Sequence, residues 1–285
     1  MIVRGERARA ADVLARFRED VLHYRAASDR GDVERLGALL GNWVLSGRLE
    51  RLVAAQATEP SSYYRVVPIL VTPLVHEGGL RVALLYLTPG MKPSAAAASS
   101  LLRDHAENGV LVNAGRGTVR VTAYRQPSLE PRDVLDPAKV LVCDGVRSYG
   151  RGEFTPIIAG ETVLDLLDVD APTVLLAAFG SQRYDLSWGY DARTLQPAKL
   201  YHSTLRDTRL RYALEVAHNF ADWWEGDGHL TDAVERLTRH RSHAVRWSAL
   251  RALDALDERR GAAALARAVD DPHPHLASAA RKALV

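Results

Sequence analysis

Arg103, His105 and Glu107 are the residues whose types and spacing best suit chemistry. Alternate positions of an extended strand point the same way, so Arg103 and His105 would emerge side by side. The imidazole is read as a metal ligand or as an acid–base group working with Glu107. Arg103 offers a planar fork for a carboxylate or phosphate. The plain alternative for His105 is a structural histidine at a barrel mouth, since a lone imidazole holds a transition metal weakly.

The stretch that must position them runs from Pro89 to Arg125. A Pro-Gly turn leads into the small-residue segment Ser94 to Ser100, which reads as a short helix or a low-complexity lid. Two alternating apolar runs then follow, split by Gly115 and Gly117. Gly115-Arg116-Gly117 lacks the GxGxxG spacing and the following helix of a dinucleotide site, so it reads as a β-turn.

Before this stretch, residues 8–56 repeat their apolar positions at three- and four-residue steps, as in Val13, Leu14, Phe17 and Val21, and predict helices. From Glu59 the character changes to short β-branched and aromatic runs. Strands are predicted around 63–67, 69–71, 74–75, 80–87, 110–112, 118–124, 139–143, 162–168 and 173–179, with a hairpin turn at His76-Glu77-Gly78-Gly79. Tyr86 lies on the 80–87 strand. Residues 180–203 read as an aromatic-rich loop, and the rest as helices. The expected organisation is an N-terminal helical cap at 1–58, a β unit at 59–203 and a helical region at 204–285.

Composition narrows the function classes. Apolar residues at 47% and charged residues at 25% suit a soluble globular protein. A formal net charge of +2 supplies no global field toward nucleic acid or membrane. No apolar run approaches the roughly 20 residues of a membrane span. Cys143 is the only cysteine, which excludes an intrachain disulfide and a Cys-based zinc site; ending a strand, it is expected to be buried. The expected setting is the cytoplasm, and the Ala- and Arg-rich usage points to a GC-rich bacterial gene.

The middle of the chain, residues 65–180, resembles the cupins. Their first motif carries His-x-His, a Glu and a Gly turn, and their second reads Pro-x-Gly-x-x-His. The corresponding segments here are Arg103-Asp104-His105-Ala106-Glu107, closing at Gly115, and Pro156-Ile157-Ile158-Ala159-Gly160-Glu161-Thr162. His105 stands at the second imidazole, while Arg103 and Thr162 replace the first and third. The resemblance implies an antiparallel small β-barrel or jelly roll within an α+β chain. It implies His105 as metal ligand, His105 and Glu107 as catalytic groups, and Arg103, Tyr86 and Thr162 as ligand-binding residues. The implied cofactor is a divalent metal such as iron.

The last stretch contains a repeat. Val234, Leu237, Val245, Ala249, Ala252 and Leu253 correspond, 31 positions on, to Leu265, Ala268, Leu276, Ala280, Ala283 and Leu284. This resembles HEAT-like repeats, whose second helix opens with a Val-Arg pair as in Val245-Arg246, and implies a protein-binding surface. Such units stack because one alone cannot cover its own apolar face, so the helix from Leu205 to Trp224 is expected to supply a neighbour. His240, His243, His273 and His275 fall at repeat turns. His273-Pro274-His275 cannot form a helical i,i+4 zinc pair, and these histidines read as structural.

Two functional readings follow. The favoured one is a cupin-like small-ligand binding or non-metal scaffold protein with a HEAT-like partner-binding surface, a small molecule in the barrel and a protein on the repeats. The alternative is a metal-dependent oxygenase, similar to thiol dioxygenases, acting on a small anionic molecule. The sequence does not decide whether the chain is an enzyme.

Overall fold

A computed structural model describes all residues except 1, 25–28, 58–63, 67–68, 91–100, 130–131, 203–204, 225 and 285. The Ser94 to Ser100 stretch therefore lies outside the described residues. The chain is mixed α+β and divides into two compact units. The first comprises Met1–Ser128 with Asp136–Tyr201, the second Leu129–Leu135 with His202–Val285.

The first unit opens with α1 (Ile2–Leu22), α2 (Arg30–Leu45) and α3 (Arg48–Ala57). The Asp29 side chain caps α2 by accepting the Asp32 N–H at 2.8 Å, satisfying one donor that a helix start leaves orphaned. Phe17 meets Trp43 edge-on at 4.9 Å, and the Trp43 indole N–H donates to Asp20 at 3.0 Å.

These helices cover one face of an antiparallel six-stranded sheet. Its strands are β1 (Tyr64–Val66), β2 (Ile69–Glu77), β3 (Leu80–Leu87), β5 (Glu107–Asn113), β8 (Phe154–Ile157) and β10 (Thr173–Gln182). Their order is β1-β2-β3-β10-β5-β8. Period-two alternation divides each strand between two cores. Leu80, Val82, Leu84, Val110, Val112, Leu176 and Ala178 pack with Phe17, Leu36 and Leu40 of the helices. Leu85, Leu87, Leu111 and Leu175 point the other way, against Val119, Val121 and Val169. Each such fully buried side chain contributes about 1.5–3 kcal/mol.

Val119, Val121 and Val169 belong to a second sheet of order β7-β6-β9, built from β6 (Val119–Arg125), β7 (Val142–Tyr149) and β9 (Thr162–Val169). A third has order β12-β11-β4, from β4 (Leu101–Arg103), β11 (Leu186–Asp191) and β12 (Pro197–His202). Among the described residues no ladder closes on itself, so the expected barrel takes the form of separate sheets. Between β4 and β5 the Ala106 carbonyl accepts the N–H groups of Arg183 and Tyr184 at 2.8 and 3.1 Å. One isolated bridge, Asp104 to Val163, ties the residue after β4 to β9.

The hairpin turn at Gly78-Gly79 forms as expected, with φ of 58° and 85° at its two glycines. Residues 186–202, expected as loop, contain two strands. Cys143 is exposed, not buried. It sits on β7, an edge strand, where Tyr124 pairs with Cys143 and Ala123 with Gly145, leaving Asp144 as an extra residue. A bulge on an edge strand leaves side chains without a covering layer.

The second unit is helical: α4 (Leu205–Asn219), a 3₁₀ turn (Ala221–Trp224), α5 (Gly228–Leu237), α6 (His243–Leu256), α7 (Glu258–Ala268) and α8 (Pro274–Ala283). Leu214 and Ala217 of α4 join the core formed by Val234, Val245, Ala249, Leu253, Leu265 and Ala280. Val234 and Leu265, Val245 and Leu276, and Ala249 and Ala280 are buried at both equivalent positions, 31 residues apart. Leu284 is exposed, whereas its counterpart Leu253 is buried. No helix of the described residues is long and apolar enough to cross a membrane.

Candidate anion site on the first unit

β4 places Arg103 beside Gly189 of β11. A Cβ on Gly189 would lie 2.8 Å from a ring carbon of Tyr201, so glycine is what lets that ring lie close against the strand. Arg103 then crosses the same ring with its guanidinium 4.5 Å from the centroid. Its Nε donates to the Ser187 hydroxyl at 3.2 Å, fixing the fork's orientation. Lys199 reaches Tyr201 as well, its ammonium 5.0 Å from the centroid. Two cations thus share one aromatic platform. Neither has an ion-pair partner among the described residues.

The intervening Asp104 points inward. It is buried and accepts the Trp188 N–H at 2.6 Å and the Gln126 amide at 3.0 Å. The first bond ties the residue after β4 to β11, and the second reaches the residue after β6.

His105 is half-buried and stacks on Phe179, with centroids 5.2 Å and planes 23° apart. Among the described residues its nitrogens take no hydrogen-bond partner. Burial, aided by Arg103 and then Arg81, lowers its pKa from 6.5 to about 4. Glu107 does not turn toward it. The Glu107 carboxylate is held by the Arg81 guanidinium, which in turn lies 6.0 Å above the Phe179 ring.

The five residues expected to act together are therefore divided. Arg103, His105 and Glu107 stay on one short segment, with His105 and Glu107 engaged by Phe179 and Arg81. Thr162 lies one residue beyond the Asp104 to Val163 bridge, near their edge. Tyr86 does not join them. It packs with the helix-side core on β3, whereas Arg81 sits at a position of opposite parity on that strand. The sequence reading missed Lys199, Ser187 and Phe179 as site residues. The signal for them in the sequence is the aromatic cluster around Trp188 and Tyr201.

The metal implied by the cupin resemblance does not fit these residues. Among the described residues no cluster of three His, Cys, Asp or Glu groups forms around His105. The burial and guanidinium charges that lower its affinity for a proton also oppose a divalent cation. No step through a metal at this position follows.

No protein-family model matches the chain, and no curated protein matches it in sequence. Solved structures match part of the chain at low similarity. DMSP lyase DddQ from Ruegeria pomeroyi DSS-3 shares 11% identity at a TM-score of 0.35, over 60% of this chain and 91% of that one. A sugar phosphate isomerase of the cupin superfamily from Silicibacter pomeroyi DSS-3 shares 16% at 0.27, over 47% and 76%. The Cnp3 cupin domain of Schizosaccharomyces pombe shares 8% at 0.28, over 44% and 72%. At such scores the likeness carries no argument, and the reading of the site rests on the residues alone.

Proposed function

We propose that the first unit is a cupin-like module that binds a small anionic molecule without a metal. The observation that carries this reading is the pair of cations, Arg103 and Lys199, held against Tyr201 with no carboxylate opposite them among the described residues. A preoriented guanidinium recognises a carboxylate or phosphate through two parallel hydrogen bonds. The neighbouring Arg81 is neutralised by Glu107, and His105 is uncharged at neutral pH, so the edge keeps a net positive charge.

Calorimetric titration of the full chain with small carboxylates and phosphate monoesters tests this. At least one should bind saturably, and Arg103→Ala should weaken it by about tenfold or more. Lys199→Ala should weaken it less. Equal binding by Arg103→Ala, or no binding by any member, removes the reading. Stoichiometric iron that co-purifies and is lost in His105→Ala would establish the oxygenase alternative instead.

A second reading concerns the helical unit, which we propose to be a HEAT-like array with a partner surface. Arg246, of the Val-Arg pair, forks onto Asp271 in the next turn at 2.7 and 2.9 Å and also donates to the His240 and Arg241 carbonyls. This tie between successive helix pairs supports stacking. Tyr212, Val216, Phe220 and Trp223 recur at helical steps and are 70%, 50%, 43% and 76% exposed. Exposed apolar side chains spaced in this way suit an interaction surface. A photo-crosslinking residue at Tyr212 should give one discrete adduct in cells, and no adduct or a smear would count against a specific partner.

A further inference from the structure

We propose that Asp133, His243 and His273 form a site for one divalent transition-metal ion of the zinc class, within the helical unit and independent of the Arg103 site. The residues come from three separate places. His243 is the first residue of α6, His273 is the N-cap of α8, and Asp133 lies on the Leu129–Leu135 segment of the same unit. The two imidazoles stack face to face with centroids 3.7 Å and planes 9° apart. Oδ2 of Asp133 lies 3.4 Å from His243 Nδ1 and 3.5 Å from His273 Nε2. One donor atom from each residue falls within 4.8 Å of the other two. Donors about 2.0–2.2 Å from a tetrahedral zinc stand roughly 3.3–3.6 Å from one another, so the donor spacing suits a ligand set, and the two rings must rotate out of their stack for both lone pairs to converge on one ion.

The ordinary account of such contacts is an aspartate paired with a charged histidine. Stacking limits that account, because two imidazolium rings 3.7 Å apart would repel by about 4 kcal/mol at an effective dielectric of 20. Two imidazoles and a carboxylate are a donor set suited to zinc, cobalt, nickel or ferrous iron. Asp133 would offset one of the ion's two positive charges.

The neighbouring groups are already committed elsewhere. Arg246 is bound to Asp271, and His275 Nε2 accepts the Leu135 N–H at 3.0 Å, which ties down the segment bearing Asp133. His273 Nε2 donates to the Asp133 carbonyl at 3.0 Å, while its buried Nδ1 has no partner among the described residues. Ligation therefore moves the ring proton from Nε2 to Nδ1 and gives up that one hydrogen bond. His243 and His275 also line a cleft of about 240 Å³ with Trp247 and Ser248, which gives an ion a route from solvent.

The untagged, chelator-stripped full chain is titrated with Co²⁺, whose visible absorption reports its ligands, and then with Zn²⁺ in competition. One equivalent of Co²⁺ should bind and be displaced by Zn²⁺. Asp133→Asn and His243→Ala should each weaken binding by more than about tenfold, and His105→Ala should leave it unchanged. Histidine ring NMR of the unaltered chain asks the same question should a variant fail to fold: the His243 and His273 signals should move with Zn²⁺. No Co²⁺ uptake, uptake equal in both variants, or shifts confined to other histidines overturns the proposal.

Discussion

The His105 imidazole lies against the Phe179 ring with 23° between the planes, and it faces the Arg81 and Arg103 side without a carboxylate partner. The folded state therefore resists a proton that the unfolded chain accepts. Because the folded pKa is lowered, the stabilisation is complete above pH 6.5 and is lost as pH falls toward 4. The shift corresponds to about 3 kcal/mol at most. Thermal melts between pH 7 and pH 4 should show a shallower loss of stability in His105→Gln than in the unaltered chain. Identical pH profiles would show that the ring does not resist protonation.

Asp104 gives a second test. Asp104→Ala leaves the Trp188 N–H and the Gln126 amide buried without their acceptor, at a cost of about 2–4 kcal/mol. Asp104→Asn should cost about 1 kcal/mol, because its oxygen still accepts from Trp188. Its new N–H₂ can donate to Gln126 Oε1, which has no partner among the described residues, once that amide turns over. Urea denaturation should rank the two variants in this order.

Gly37 and Gly41 share one face of α2. A Cβ at Gly37 would meet the Phe154 ring at 2.4 Å, and one at Gly41 would meet the Gly152 carbonyl oxygen at 2.6 Å. Alanine normally stabilises a helix by about 1 kcal/mol over glycine; here it should destabilise by about 1–3 kcal/mol. Gly41→Ala should cost more, since its obstacle is backbone and cannot rotate away. A stabilising effect in melting experiments would mean that α2 stands off from the sheet.

Asn113 is buried and uses its whole amide. Its Nδ2 donates to the Gly117 and Tyr149 carbonyls at 2.6 and 2.9 Å, and its Oδ1 accepts from Gly115 N–H and the Thr173 hydroxyl at 3.0 and 3.1 Å. Asn113→Asp keeps the shape but sets a carboxylate oxygen against two carbonyls. It should destabilise by about 3 kcal/mol or more at pH 7 and less at pH 4, where the acid can protonate and donate. Equal stability at the two pH values would contradict the bonding pattern.

Helices and most strands were legible because their periods differ and the turns are marked by glycine. The sides of the strands were not. In β3, Leu80, Val82 and Leu84 alternate with Ala83, Leu85 and Leu87, so both faces are apolar and nothing in the string says which is covered by helices. Tyr86 was accordingly placed with the ligand residues although it packs on the helix side. Residues 186–202 look like loop because Gly189 and the Asp191 to Thr194 turn break the apolar alternation, yet Gly189 is what admits Tyr201. Asp133 had no signal at all, since its partner His273 is 140 residues away.

The Asp104 contacts also bear on biosynthesis. β4 pairs with β11, and the Trp188 N–H that Asp104 accepts is supplied 84 residues downstream. During translation the strand carrying Arg103 and the segment carrying His105 must wait, unpaired on that side, until this later stretch has left the ribosome. Long loop closure is slow, and an unpaired strand edge is prone to aggregate during the delay. The segment that bears the site is thus among those whose folding depends on nearly the whole first unit having been made.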